Sequence, residues 1–168
     1  MTDQQDADTT LASRGALLAA ALFVALIVLF SIGSTTRSAL LLIAVVAITG
    51  HLVLFPTIVV APASAWARPA GYGWVIVDVM LNGATLNGVD NALVMPLRLG
   101  GHFLAALWIA NCAASARGAV RPVGLVLAAL LAGHALVARW SPDWAIYPPF
   151  LLMPAWLLLL GLQLRRRT

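Results

Sequence analysis

Five long apolar runs follow one another along the chain, and each is close to the length that a helix needs to cross a membrane. A spanning helix takes about 20 predominantly apolar residues. The hydrocarbon core offers no partner to backbone polar groups, so only helices and closed barrels cross it, and runs of this length favour helices. The sequence therefore predicts an all-α, polytopic transmembrane helix bundle. The runs cover residues 15–33, 39–61, 99–116, 123–138 and 144–164.

The composition agrees with this prediction. Of the 168 residues, 62% are hydrophobic and only 10% are charged, whereas an ordinary soluble domain is about a quarter charged. These values exclude disorder, fibrous repeats and nucleic-acid binding as main interpretations. We expect the lipid bilayer as a partner, together with a larger membrane protein or a second copy of the chain. The Ala-rich composition, with arginine and no lysine, is typical of bacteria, so we expect the bacterial inner membrane.

The segment 74–96 is less apolar than the five runs. Each Asp near a helix centre costs about 2.5–3.5 kcal/mol on membrane insertion, so its two Asp offset what its aliphatic residues return. Its two Asn-Gly dipeptides favour turns. We therefore expect a broken, kinked or partly re-entrant helix here, held in place by its neighbours. The polar side chains of the segment are Asp78, Asn82, Asn87, Asp90 and Asn91.

The distribution of arginines decides how the spans are counted. If 74–96 crosses the membrane, there are six spans, both termini are cytoplasmic, and seven arginines lie inside against three outside. If it does not cross, there are five spans plus a re-entrant segment, and the split is six against four. Both counts agree with the positive-inside rule, and the six-span count agrees better. Both counts place the C-terminus in the cytoplasm. The seven inside arginines of the six-span count are Arg14, Arg68, Arg117, Arg121, Arg165, Arg166 and Arg167.

The domain organisation follows from these runs. Residues 14–164 are predicted to form a single transmembrane helical domain. Residues 1–13 are polar, carry three Asp, and are predicted to be a disordered N-terminal tail. Residues 165–168 form a basic cytoplasmic C-terminal end, which favours contact with anionic lipid.

Ionisable residues at membrane depth are costly and mark candidate functional sites. The stretch from Asp78 to His102 concentrates four such groups, and two interpretations are open. The stretch is either a solvated loop at the outer interface, with Asp90 and Arg98 paired, or it lines a polar cavity. The candidate cavity residues are Asp78, Asn82, Asn87, Asp90 and Arg98.

A glycine pair, Gly100-Gly101, follows Arg98 closely. Small residues let two membrane helices approach each other. At a helix start, their free N–H groups would instead hold an anion beside the arginine. The sequence leaves both interpretations open.

Histidines form the second candidate site. Ala119 lies in the middle of a predicted helical hairpin. His102 lies 17 residues before Ala119, and His134 lies 15 residues after it. At about 1.5 Å per residue, their depths differ by about 3 Å. Paired neutral imidazoles can ligate haem iron or a metal ion, and His51 is a third candidate ligand. Alternatively, each histidine forms hydrogen bonds between helices, and we otherwise expect no cofactor.

The sequence contains no catalytic motif, whether a nucleophile elbow, a zinc-protease motif, paired cysteines or a phosphate loop. Three functional hypotheses remain. The first is a small accessory or structural membrane subunit. The second is a transporter or proton-coupled carrier that uses the intramembrane Asp and Arg side chains. The third is a membrane redox protein with haem or a metal on paired histidines.

Overall fold

The computed structural model of the protein describes residues 2–33 and 36–166, without the side chains of residues 2, 3, 91 and 143. This part of the chain is helical, with no strand. Position 1 of the predicted tail and positions 167 and 168 of the predicted basic end lie outside the described residues. The α-helices are α1 (Thr2–Ser31), α2 (Arg37–Leu52), α3 (Phe55–Val60), α4 (Arg68–Leu86), α5 (Asn91–Ser115), α6 (Val120–Val137) and α7 (Tyr147–Arg165).

Five helical stretches in the described part of the chain are long and apolar enough to cross a membrane, and α4 is not among them. The prediction of an all-α membrane protein is confirmed at this level. Helices α2 and α3 count as one stretch, because only a short turn at positions 53 and 54 separates them. The five stretches are Gln4–Ser31, Arg37–Val60, Ala92–Ser115, Val120–Val137 and Trp144–Arg165.

The helices form a closed ring. Helix α1 packs on α2, α2 on α4, α4 on α5, α5 on α6 and α6 on α7, and α7 returns to pack extensively on α1. The short helix α3 extends the α2 side of the ring and packs on α1 and α4. Successive helices are therefore neighbours throughout, and the ring encloses an axis that all of them face.

Small residues let the helices approach closely around the ring. A side chain at Gly15 of α1 would collide with the carbonyl oxygen of Val53. At Gly161 of α7, a Cβ atom would lie 2.9 Å from the side chain of Leu17 on α1. These contacts explain why α1 packs closely on both of its neighbours.

Three tryptophans fill part of the core. Trp74, Trp108 and Trp156 are buried; the ring centroids of Trp74 and Trp108 are 6.0 Å apart, and those of Trp108 and Trp156 are 5.5 Å apart. Trp108 lies over Gly71, and Trp156 lies over Gly124. The indoles therefore connect α4, α5 and α7 across the ring.

Helix α4 directs two polar residues into the ring and exposes apolar residues on its other side. Asp78 and Asn82 are four residues apart on one face, and both are buried in the ring. Ile76 and Met80 lie on the other face and are 49% and 67% exposed. The low hydropathy of this helix therefore comes from side chains that face protein.

The predicted break in 74–96 lies at its second Asn-Gly dipeptide. Helix α4 continues through Gly83 and ends at Leu86. Asn87 ends the helix, and Gly88 takes a φ of 78°, which favours glycine. Asp90 then begins α5, since its carboxylate accepts a hydrogen bond from the Ala92 N–H at 2.8 Å. The segment is thus a helix, a tight turn and the first residues of a second helix.

The polar N-terminal segment differs from the predicted disordered tail, because α1 begins at Thr2. Its last turns are buried against the bundle. The Ser13 hydroxyl donates to the carbonyl oxygen of Gly161 at 2.9 Å, and the Thr57 hydroxyl donates to that of Ala12 at 2.9 Å. Small and polar residues in the tail therefore pack on α3 and α7, a tertiary contact that composition alone does not indicate.

We predict that Gly124→Ala destabilises the protein, by roughly 1–3 kcal/mol, because the added methyl overpacks the core. Its Cβ would collide with the Trp156 indole and lie 2.7 Å from the Cβ of Ala113. The change is measured by thermal unfolding in detergent. Unfolding is monitored through the reaction of a thiol-reactive dye with Cys112, which is buried in the folded protein.

Gly133→Ala in the same helix is the matched control. A Cβ at Gly133 would meet no atom within 4 Å apart from its own chain neighbours and helix backbone, and alanine is the better helix former by about 1 kcal/mol. This variant should be as stable as the parent or more stable. Equal stability of the two variants would contradict the described packing of α6 against α7.

Candidate functional site

A buried contact between a histidine and an aspartate joins two helices of the ring. Nε2 of His51, on α2, lies 3.2 Å from Oδ2 of Asp78, on α4. The side chains are only 7% and 6% exposed. Removing two ionisable groups from water is costly, and one partner left alone in such a place is costlier still. The two residues therefore form a unit.

The hydrogen bonds of His51 indicate how many protons the unit holds. Nδ1 of His51 lies 2.7 Å from the carbonyl oxygen of Ala47, and a carbonyl only accepts, so Nδ1 carries a proton. A second proton between Nε2 and Oδ2 then belongs to the imidazolium or to the carboxylic acid. In either form the pair is neutral, and loss of that proton leaves it with one negative charge.

Aromatic rings and the close approach of α5 surround this pair. The Phe23 and Trp74 rings stand edge-on to the imidazole of His51, with centroids at 5.2 and 5.3 Å. The Asn82 amide donates to the backbone carbonyl of Asp78 at 2.7 Å. Gly101 of α5 brings that helix close, since a Cβ there would lie 3.8 Å from Oδ1 of Asp78. The pair is thus held from four helices.

Beside the pair lies a cavity of about 80 Å³ at the axis of the ring. Every long helix of the ring contributes to its wall. The apolar part of the wall comes mainly from α1, α6 and α7, and the polar part from α2, α4 and α5. The polar lining residues are His51, Asp78, Asn82, Arg98 and His102.

The cavity contains some, but not all, of the predicted cavity residues. Asp78, Asn82 and Arg98 line it. Asn87 and Asp90 do not: they lie exposed at the turn between α4 and α5. Their side chains serve that turn instead, Asn87 by donating to the carbonyl oxygen of Gly83 at 2.8 Å and Asp90 by capping α5.

The predicted pairing of Asp90 with Arg98 is not formed. Asp90 caps the start of α5, while Arg98 lies two turns further along that helix and lines the cavity. Arg98 is half-buried and forms no ion pair with a carboxylate of the described side chains. Its charge therefore faces the cavity without a bonded counter-ion from this part of the chain.

The glycine pair after Arg98 lies inside α5, not at its start. The N–H groups of Gly100 and Gly101 are therefore not those of a helix N-terminus, and the anion site predicted from them does not form. Gly101 instead lets α5 approach α4, because a Cβ there would lie 3.1 Å from Val77 Cγ1. Of the two interpretations, close packing is the one realised.

The candidate haem or metal histidines divide into two groups. The rings of His102 and His134 lie on adjacent helices with centroids 6.4 Å apart, consistent with the equal depth that the hairpin spacing predicts. The Nδ1 atom of each is buried without a hydrogen-bond partner. His51 belongs to the pair with Asp78. Among the described residues, no three His, Cys, Asp or Glu side chains form a group able to hold a metal ion.

Sequence reasoning missed the pairing of His51 with Asp78, although a signal for it exists. The connection between α3 and α4 is centred near Ser64, which is 13 residues after His51 and 14 before Asp78. The hairpin spacing that relates His102 to His134 therefore also places these two residues at nearly equal depth.

Comparison of the chain with family models, with curated proteins and with solved structures finds no match. The chemistry of the site therefore rests on its own geometry: a protonatable pair, an arginine and a histidine around one small cavity.

We predict that His51 and Asp78 are energetically coupled. In His51→Phe or Asp78→Leu, the remaining partner loses its buried contact, which costs about 1–3 kcal/mol. The double variant should be more stable than the sum of the single losses implies, with a coupling of about 0.5–3 kcal/mol. Chemical or thermal unfolding of the four proteins in detergent measures this cycle.

The same cycle with Asp90→Leu in place of Asp78→Leu is the control. Asp90 is exposed and only caps α5, so its loss should simply add to that of His51→Phe. A coupling as small for the Asp78 cycle as for this one would show that the pair is not a unit.

Proposed function

We propose that the protein is a proton-coupled membrane carrier whose working site is the cavity at the axis of the ring. The buried His51–Asp78 pair carries this proposal. It is neutral with one shared proton and negative without it, so it can take up and release a proton at the cavity wall. Ionisable groups at membrane depth are expensive, and proton relays are one of their main uses.

An accessory or structural subunit is the competing hypothesis. Such a subunit needs faces that pack on a partner, and the exposed apolar side chains of the bundle would serve. It has no need of a buried His–Asp pair, since well-packed apolar residues often stabilise a core as well or better. The location of the pair beside a polar cavity therefore favours the carrier.

The proposal includes α4 as a sixth crossing. Its outer face carries exposed Ile76 and Met80, and its polar residues Asp78 and Asn82 face the ring. Its position between α2 and α5 supports an orientation across the same layer. With six crossings, the arginine distribution favours cytoplasmic termini, in what we propose is a bacterial inner membrane.

We predict that the two chain ends label from the same, cytoplasmic side. Single cysteines at positions 2 and 168, each in a Cys112→Ala background, are treated in intact cells and in inverted vesicles with a membrane-impermeant thiol reagent. Both should react only in inverted vesicles. Labelling of the two ends from opposite sides would rule out the sixth crossing.

We predict that the purified protein moves protons across a liposome membrane. Proteoliposomes that enclose a pH-sensitive dye receive an inward gradient of sodium nitrate, choline gluconate or glycerol, so that an anion, a cation and a neutral solute are each tried. At least one gradient should change the internal pH faster than in protein-free liposomes. Asp78→Asn should slow this change by roughly tenfold or more, since an amide does not exchange the proton.

Asp90→Asn is the matched control, because it removes an exposed carboxylate while asparagine still caps a helix. It should move protons like the parent. If no gradient distinguishes the parent from protein-free liposomes, the carrier proposal fails and the accessory subunit becomes the better hypothesis.

A further inference from the structure

We propose that the cavity binds one small, planar, monovalent oxyanion at Arg98, and that this anion and the proton of the His51–Asp78 pair bind together. The inference rests on the proposed function, because it names the solute class of the same cavity. It follows from three features of the cavity: its charges, its coupling to the buried pair, and its size.

The charges of the cavity wall do not balance when the pair is protonated. Asp78 is the only carboxylate among the described lining residues, and it is occupied by His51. The protonated pair is neutral, so with His102 neutral the wall carries the single positive charge of Arg98. A positive charge that faces a partly desolvated cavity attracts an anion, and no carboxylate of the described side chains takes that place.

Proton and anion binding are then coupled through the charge of the pair. When the shared proton leaves, the pair becomes negative and the wall becomes neutral, because Asp78 now offsets Arg98. An anion is held by the protonated wall and released by the deprotonated one. By linkage, a bound anion strengthens proton binding by the same factor. The cavity therefore favours movement of a proton together with an anion, in the same direction.

The size of the cavity favours a small anion. A cavity of 150 Å³ in another protein holds benzene, which has six non-hydrogen atoms. At about 80 Å³, this cavity admits a ligand of about three or four such atoms. The guanidinium of arginine presents planar, parallel donors that match a planar oxyanion. Nitrate and the smallest carboxylates have this size, shape and charge.

Other titratable groups near the site are His102 of α5, which lines the cavity, and His134 of α6, whose ring lies 6.4 Å from that of His102. The described parts of α1 and α7 that line the cavity are apolar, such as Phe30 and Phe150. Protonation of His102 would also add positive charge, so the experiment separates its effect from that of the pair.

The experiment measures nitrate binding by thermal stabilisation of the detergent-purified protein, with unfolding followed through Cys112. Sodium gluconate replaces sodium nitrate at equal concentration as the control, since gluconate is too large for the cavity. A ligand that binds only the folded state raises the unfolding temperature, and the rise increases with the ratio of its concentration to its Kd. We expect nitrate to stabilise the parent, more strongly at about pH 5 than at about pH 8.

Variants assign the effect to individual residues. Arg98→Gln should weaken nitrate binding by about tenfold to a hundredfold, since it removes charge-assisted hydrogen bonds. Arg139→Gln, at an exposed position outside the cavity, should bind nitrate like the parent. Asp78→Asn should keep nitrate binding and lose its pH dependence. His102→Gln should keep the pH dependence, because the His51–Asp78 pair remains.

Three results would overturn the inference: equal stabilisation by nitrate and gluconate, unchanged nitrate binding in Arg98→Gln, or unchanged pH dependence in Asp78→Asn. Failure here is distinct from failure of the carrier proposal. Nitrate binding through Arg98 in a protein that moves no protons would leave the anion site and remove the carrier. Proton movement driven only by choline or glycerol, without nitrate binding, would leave the carrier and remove the anion site.

Discussion

The contact between His51 and Asp78 is the interaction on which the interior of this bundle depends. At 3.2 Å, and with both side chains almost inaccessible to solvent, it joins α2 to α4 at a depth where a lone charge would be costly. The Phe23 and Trp74 rings and the close approach of α5 at Gly101 are arranged around it. The cavity exists beside this contact, and its polar wall is built from the same two helices and α5.

Closure of the ring allows a helix as polar as α4 to form part of the bundle. Hydropathy sums over a whole helix and cannot register which face a side chain occupies. Asp78 and Asn82 face the interior, while Ile76 and Met80 face outward. A helix that would be costly in lipid by itself is covered on its polar side by α2 and α5. The same closure brings α7 back to α1 and buries the polar start of the chain.

The sequence predicted part of the candidate site. The cost of polar and ionisable groups at membrane depth singled out Asp78, Asn82 and Arg98, and all three line the cavity. The same reasoning also selected Asn87 and Asp90, which lie at an exposed turn. Polarity alone does not distinguish an interior side chain from one that caps a helix, because both are polar residues within a largely apolar stretch.

For the histidines, spacing along the chain indicates the depth of a residue but not the residue that it contacts. Hairpin spacing relates His102 to His134, whose rings lie 6.4 Å apart. The same kind of relation, nearly equal distances from the centre of a connection, holds between His51 and Asp78. Depth follows from the rise per residue, which is a property of every α-helix. The choice of partner depends on how each helix is rotated about its own axis. Rotation is set by packing against several neighbours at once, so the partner of His51 is not evident from spacing within one hairpin.

The sequence by itself determined the class of the molecule: apolar runs of spanning length with few charges specify membrane helices, because backbone groups in hydrocarbon need internal partners. It also indicated a break at one of two Asn-Gly dipeptides, which the structure has at the second, where Gly88 takes a φ of 78° that favours glycine. Tertiary structure alone decided that the helices close into a ring, that Asp78 meets His51 and not an arginine, and that Arg98 faces a cavity. These outcomes depend on contacts between residues far apart in the chain, where helix rotation and close packing at glycines set the geometry.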